Sequence, residues 1–214
     1  LASAGAIPGG IGAAGGTSLL TINGGVLELA AGDFTRATGT TATTVNLQSG
    51  GFSAHGGNRL VNLGGASATV TWGAGNFMTT GGAAFQLSST HSDSTMEFQN
   101  PIDLGSSGTN TRTIQVNDGS AEVDAILSGN FSNSGGTQSL TKTGAGNLTL
   151  SGDYTTTGGT IVANGGTLLV TGKIGGGTGV SSSQFPQPVG TLTLTNDAND
   201  FTGPVTSGAQ GNIN

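Results

Sequence analysis

Residues 138–172, QSLTKTGAGNLTLSGDYTTTGGTIVANGGTLLVTG, state one structural rule twice. Apolar side chains fall on alternate positions at Leu148 and Leu150, then again at Leu168 and Val170, and glycines bracket each pair. A period of two belongs to a β-strand. The pairs Gly158-Gly159 and Gly165-Gly166 offer backbone able to take positive φ, which a chain turning sharply between short strands needs repeatedly. Short strands between glycine corners, with leucine returning about twenty residues later, predict the coils of a solenoid.

Outward from this stretch, strand-like segments recur at 17–22, 26–29, 44–48, 59–63, 68–72, 84–88, 95–98, 111–116, 121–127, 139–143, 147–151, 160–163, 167–171, 191–195 and 203–206. Nearly all are short, rich in Thr and β-branched residues, and bounded by Gly, Asn, Asp or Ser. No segment has a helical period with caps. The one long run free of Gly and Pro, 83–100, has Ser, Thr and His contents that favour strand and loop. A sandwich or barrel would also use many short strands. Asn23-Gly24 and Asn164-Gly165 could turn hairpins, yet each is followed by another glycine and a strand of matching pattern, which suits a repeated corner better. The expected fold is therefore all-β, a parallel β-helix of about ten coils, roughly 50 Å long at ~4.8 Å per rung. Its predicted inward residues are Leu27, Leu29, Val45, Leu47, Val61, Leu63, Val70, Trp72, Phe85, Leu87, Ile114, Val116, Val123, Leu148, Leu150, Leu168, Val170, Leu192 and Leu194.

Residues 1–214 are expected to form one such domain. Glycine accounts for 42 of 214 residues and charged residues for 7%, against about a quarter in ordinary globular chains. Alternating Leu, Val, Ile and Phe, with little net charge to hold the chain open, argue for order over disorder. The formal charge of −6 removes the basic footprint that nucleic acid or an anionic membrane surface would require. There is no cysteine, hence no disulfide framework or thiolate metal site. The start at Leu1 has no signal-peptide pattern and looks like a processed or excised segment; no apolar run approaches the ~18 residues that would span a bilayer. The Gly/Ala-rich opening segment 1–16 contains Gly10-Ile11-Gly12-Ala13-Ala14-Gly15, a formal dinucleotide fingerprint. A functional fingerprint follows a strand and opens a helix, whereas this one follows Pro8 and runs into a strand pattern, so no cofactor is expected.

Leu140, Lys142, Gly144, Gly146, Leu148, Leu150, Gly152, Tyr154, Gly158, Thr160, Val162, Gly166 and Leu168 together resemble the autotransporter-associated β-strand repeat of secreted and surface proteins of Gram-negative bacteria. A weaker copy occupies 190–207 at Gly190, Leu192, Leu194, Asn199, Phe201, Gly203 and Val205, with Phe201 in the Tyr place. Asn23-Gly24-Gly25-Val26-Leu27-Glu28-Leu29 repeats the ending Asn164–Val170. The resemblance covers about a third of the chain. It implies a right-handed parallel β-helix, a bacterial extracellular or cell-surface setting and a non-catalytic role.

Candidate chemistry is sparse. Asp118, Glu122 and Asp124 form the densest acidic cluster. With Val123, Ala125 and Leu127 inward, Glu122 and Asp124 would share an outer face about 7 Å apart, within reach of calcium. A calcium site needs more oxygens and a lyase needs a nearby base, for which Arg112 is the local candidate; two solvated carboxylates are the simpler reading. His55 and His91 are the only imidazoles. His55 lies outside any nucleophile elbow, His91 sits beside Asp93, and both read as surface histidines. Trp72 and Tyr154 are single aromatics, which suits core packing better than a sugar platform. Asn130-Phe131-Ser132 and Asn147-Leu148-Thr149 match a glycosylation sequon that matters only in a eukaryotic secretory route.

Neither terminus offers an amphipathic helix or charged strand to cover unpaired backbone groups, so the solenoid is expected to continue in a longer parent or to stack end to end. Outward Thr and Ser hydrogen-bond across rungs without charge repulsion and suit lateral contact. These features predict an extracellular structural solenoid that self-associates into filaments, with no catalytic residue, cofactor or membrane insertion. A carbohydrate-active β-helix, lyase or hydrolase, is the first rival, and an adhesin binding glycan or matrix is the second.

Overall fold

The computed structural model describes residues 1–12, 17–65, 67–183 and 189–214. Three parallel sheets run through the stack. The first joins eight strands, Val26–Leu29, Gly50–Ala54, Phe85–Leu87, Thr109–Val116, Thr137–Thr143, Thr160–Asn164, Gly179–Ser182 and Val205–Ser207. A second joins seven, Arg59–Val61, Met96–Phe98, Ala125–Leu127, Asn147–Leu150, Gly166–Val170, Gly190–Leu194 and Asn212–Ile213. The third joins five, Val70–Thr71, Ile102–Asp103, Phe131–Ser132, Tyr154–Thr156 and Ile174–Gly176. A further pair, Leu20–Ile22 and Val45–Leu47, lies in the first coils. Every pairing between these strands is parallel, and the chain visits the sheets in rotation, which is the winding of a parallel β-helix. Among the described residues no helix is long and apolar enough to cross a membrane.

Eight rungs stack in the longest sheet, fewer than the ten expected, and at ~4.8 Å per rung the rod is on the order of 35 Å long. The correction comes from unequal coils. Leu148 pairs with Leu168, twenty residues on, but Arg59 pairs with Met96, thirty-seven residues on. The added residues of the wide coils form loops such as 72–84 and 88–95, and aromatic rings fill the larger cross-section. Trp72, Phe77, Phe85 and Phe98 are buried together, with Phe85 and Phe98 centroids 5.1 Å apart. Narrow coils use aliphatic columns instead, as in Leu140, Ile161 and Val180. Most of the predicted inward residues are buried; Leu27, Val123 and Leu194 are only half-buried. Val123 precedes its strand, which begins at Ala125.

Close approach explains glycine at a corner that positive φ does not. Gly129, Gly152 and Gly172 stack in successive coils. A Cβ on each would lie 2.2, 2.2 and 2.0 Å from the carbonyl oxygens of Asn100, Gly129 and Gly152 respectively. No side chain fits there.

The expectation of a bare N-terminal end is also corrected. Residues 1–12 lie across the first coil, where the Leu1 amino group donates to the Glu28 carbonyl and the Ala30 N–H donates to the Leu1 carbonyl. The Thr35 N–H donates to Ile11, whose side chain is buried. Fully buried Arg36 anchors the segment by donating to the carbonyls of Gly10, Ser18 and Pro8 at 2.8, 2.9 and 3.0 Å. Ala13, Ala14 and Gly15 of the formal fingerprint lie outside the described residues, and the next element is the strand Leu20–Ile22.

Candidate functional site

The corner joining the first sheet to the second carries Glu28, His55, Arg59, His91, Asp93, Asp118, Glu122, Asp124 and Lys142, half of the charged and histidine side chains in the chain. Its loops are long in the wide coils, at 88–95 and 117–124, and shrink to 144–146 in the repeat coil.

Asp124 is fully buried. Its strand starts one residue later at Ala125, so the side chain turns into the corner, correcting the expectation that it shares an outer face with Glu122. One carboxylate oxygen accepts the Gly119 N–H at 2.7 Å and the other accepts the Asn147 N–H at 2.8 Å. The Ser88 hydroxyl donates to the first at 3.4 Å. Asp118 and Glu122 are exposed, and among the described residues no group of three His, Asp or Glu side chains is arranged to hold a metal. Arg112, the candidate base, points away: it donates to the Leu104 carbonyl at 2.9 Å and lies 6.0 Å from the Trp72 ring centroid.

Lys142 is buried one coil along and donates to the carbonyls of Gly144, Gly146 and Gly165, at 2.7 Å for the first and 2.6 Å for the last. Burial pushes its pKa down to about 8, opposed by the negative charges of Asp124 and Asp118. The residues 144–146 form so tight a corner that their carbonyls converge, and an ammonium with three donors matches them. The repeat pattern marked this lysine, and alternation with Leu140 puts it on the inward face; strand periodicity does not foretell the three carbonyls it meets there.

His55 meets an acid that its local sequence does not nominate. Because Phe52 pairs with Leu87, the segments following each strand lie over one another. His55 Nδ1 sits 3.1 Å from the His91 carbonyl and 3.6 Å from Asp93 Oδ2. Asp93 Oδ1 accepts the Ser94 hydroxyl and the Gly56 N–H, each at 2.7 Å, and these bonds, Ser94 foremost, hold its pKa below the usual carboxylate value. Ser94 thus donates to the aspartate, and the histidine faces a carbonyl. A nucleophile–base pair would need the serine on the histidine.

Most other acids share this corner-stapling role. Asp33 accepts the Leu60 N–H, Asp153 the Lys173 N–H, and Asp103 the N–H groups of Gly105 and Ser134. Glu97 accepts the Ser128 hydroxyl and Asp200 the Lys173 ammonium, each at 2.7 Å. What the arrangement does chemically is satisfy backbone amides where the chain bends between sheets. Trp72 and Tyr154, the single aromatics, are buried in the core.

Residues 140–170 and 189–206 match the family model of the passenger-associated-transport-repeat, in agreement with the resemblance read from Leu140–Leu168 and Gly190–Val205. The two segments make up under a quarter of the chain. Comparison with curated proteins and with solved structures gives no match.

Proposed function

We propose that this chain, which carries passenger-associated-transport-repeat sequence, is a non-catalytic structural segment of a bacterial surface or secreted protein, a β-solenoid rod that acts outside the cell and associates with further copies. The observation that carries this reading is the repeat match at 140–170, which falls on the most regular coils of the stack. A passenger is the exported part of an autotransporter, and a parallel solenoid suits that setting because each coil needs only its neighbour to fold against. The carboxylates support a structural role, since most are engaged with corner amides or neighbouring side chains. Self-association is favoured by the low charge of the chain, 7% of its residues, which puts little repulsion between copies laid against one another.

Location is tested by probing intact Gram-negative cells carrying the gene with antibody to this chain, before and after surface protease. Signal on intact cells that protease removes is expected; signal only after lysis refutes the reading. Assembly is tested by negative-stain images across a concentration series: rods lengthening in steps of one molecule are expected, and single rods at every concentration refute it. The lyase rival requires calcium-dependent depolymerisation of acidic glycans, and a screen without activity is expected.

A further inference from the structure

The first sheet is widest where Thr109–Val116 and Thr137–Thr143 lie side by side through seven consecutive register pairs. Inward positions alternate with outward ones, so Ile114, Val116, Leu140 and Lys142 are buried, and the outer face carries a hydroxyl at every position of the two strands except Gln115. Thr109 stands over Thr137, Thr111 over Ser139 and Thr113 over Thr141. The pattern is a two-dimensional grid, ~4.8 Å between rungs and ~6.6 Å between alternate residues along a strand. Among the described residues, the hydroxyls of Thr109, Thr111, Thr113, Thr137 and Thr141 have no partner within the chain.

We propose that this face binds ice. The two spacings of the grid lie close to the oxygen repeats along a prism face of hexagonal ice, a little wider than one and a little narrower than the other. Threonine offers a methyl group that orders water around it and a hydroxyl that replaces a lattice oxygen. Its χ1 is stiff in a strand, so docking on a rigid lattice loses little side-chain entropy. Other occupants lack their anchors on this face. A protein partner would look for aromatic or arginine side chains, a sugar for an exposed ring, and nucleic acid or an anionic membrane for positive charge. The face offers none: Arg112 and Lys142, the cations of these two strands, donate to carbonyls of Leu104 and of residues 144–165 instead.

The test is nanolitre osmometry with microscopy of single ice crystals in the purified chain, beside Thr111→Lys/Thr137→Lys and a control, Thr155→Lys, on the third sheet. Thr111, Thr137 and Thr155 are all exposed, and far-UV circular dichroism confirms that each variant keeps the fold. Faceted crystals and a freezing hysteresis are expected for the natural chain and the control, and their loss in the double variant. Rounded crystals without hysteresis in the natural chain overturn the proposal, as does hysteresis that survives the double substitution. A dimer that the double variant dissolves, with no effect on ice, also overturns it and assigns the face to a second copy.

Discussion

Lys142 and Asp124 hold opposite ends of one peptide group: the ammonium donates to the Gly146 carbonyl while the carboxylate accepts the Asn147 N–H at 2.8 Å. The two residues belong to successive rungs of the corner, so a positive and a negative side chain together fix the path of the backbone between the first and second sheets. The corner is too tight for its amides to pair with each other, and buried backbone groups left unpaired are costly.

Lys142→Met keeps an apolar stem of similar length but leaves the carbonyls of Gly144, Gly146 and Gly165 without their donor. At about 1 kcal/mol or more for each stranded acceptor, the variant is expected to lose at least about 3 kcal/mol in urea unfolding. Asp124→Asn keeps an acceptor for one amide and turns its own N–H groups toward the other, for an expected loss of about 1–3 kcal/mol. Because both grip the same peptide, the double variant is expected to lose less than the sum. Strict additivity would show that they act independently.

The same lysine gives stability a pH dependence with a definite sign. Burial lowers its folded pKa to about 8 from the model-compound 10.5, so between those values the unfolded chain binds more protons than the folded one and stability rises with pH. Tyr154 works oppositely: burial raises its pKa above 10.0, so above pH 10 the unfolded phenol ionises first and stability falls. Urea midpoints are therefore expected to climb from pH 8 to 10 and then drop, with the climb absent in Lys142→Met. A level profile up to pH 10 would show that the three carbonyls keep the proton on the amine.

Tyr154 stacks on Phe131 of the neighbouring rung, centroids 5.5 Å apart, and its buried hydroxyl has no partner among the described residues. Tyr154→Phe places in this rung the side chain that Phe131 already places in the one before. Removing an unsatisfied hydroxyl is expected to raise stability by up to about 1 kcal/mol and to abolish the fall above pH 10. A loss of stability instead would reveal a hidden partner for the hydroxyl.

The strand rule was legible because it needs only three or four residues in alternation, and each segment read as strand-like contains one. The third sheet was nearly invisible for the same reason. Phe131–Ser132 and Ile102–Asp103 are two residues long, too short to show a period, and Ile174–Gly176 resembles a loop because glycine serves as strand where a neighbouring backbone passes close; Gly179–Ser182 of the first sheet escaped notice in the same way. The corner was misread at Asp124, because alternation was extended one residue beyond its strand. His55 and Asp93 are brought together by a register spanning a long loop, which no local pattern records.

Glycine substitutions separate the two reasons for that residue. Gly24 has φ of 91° with nothing within 4 Å of a built Cβ, so Gly24→Ala meets only backbone strain, about 1 kcal/mol. Gly152 is not in the left-handed region, yet a Cβ there would sit 2.2 Å from the Gly129 carbonyl oxygen, less than any contact between such atoms. Neither rung can move aside without stretching the parallel ladders on both flanks, Leu127 over Leu150 and Phe131 over Tyr154. Gly152→Ala is therefore expected to cost more than about 3 kcal/mol, in the range of severe core lesions, and to speed hydrogen exchange in both rungs. If thermal unfolding ranked Gly24→Ala as the worse of the two, close packing of coils would not be the reason glycine stands at this corner.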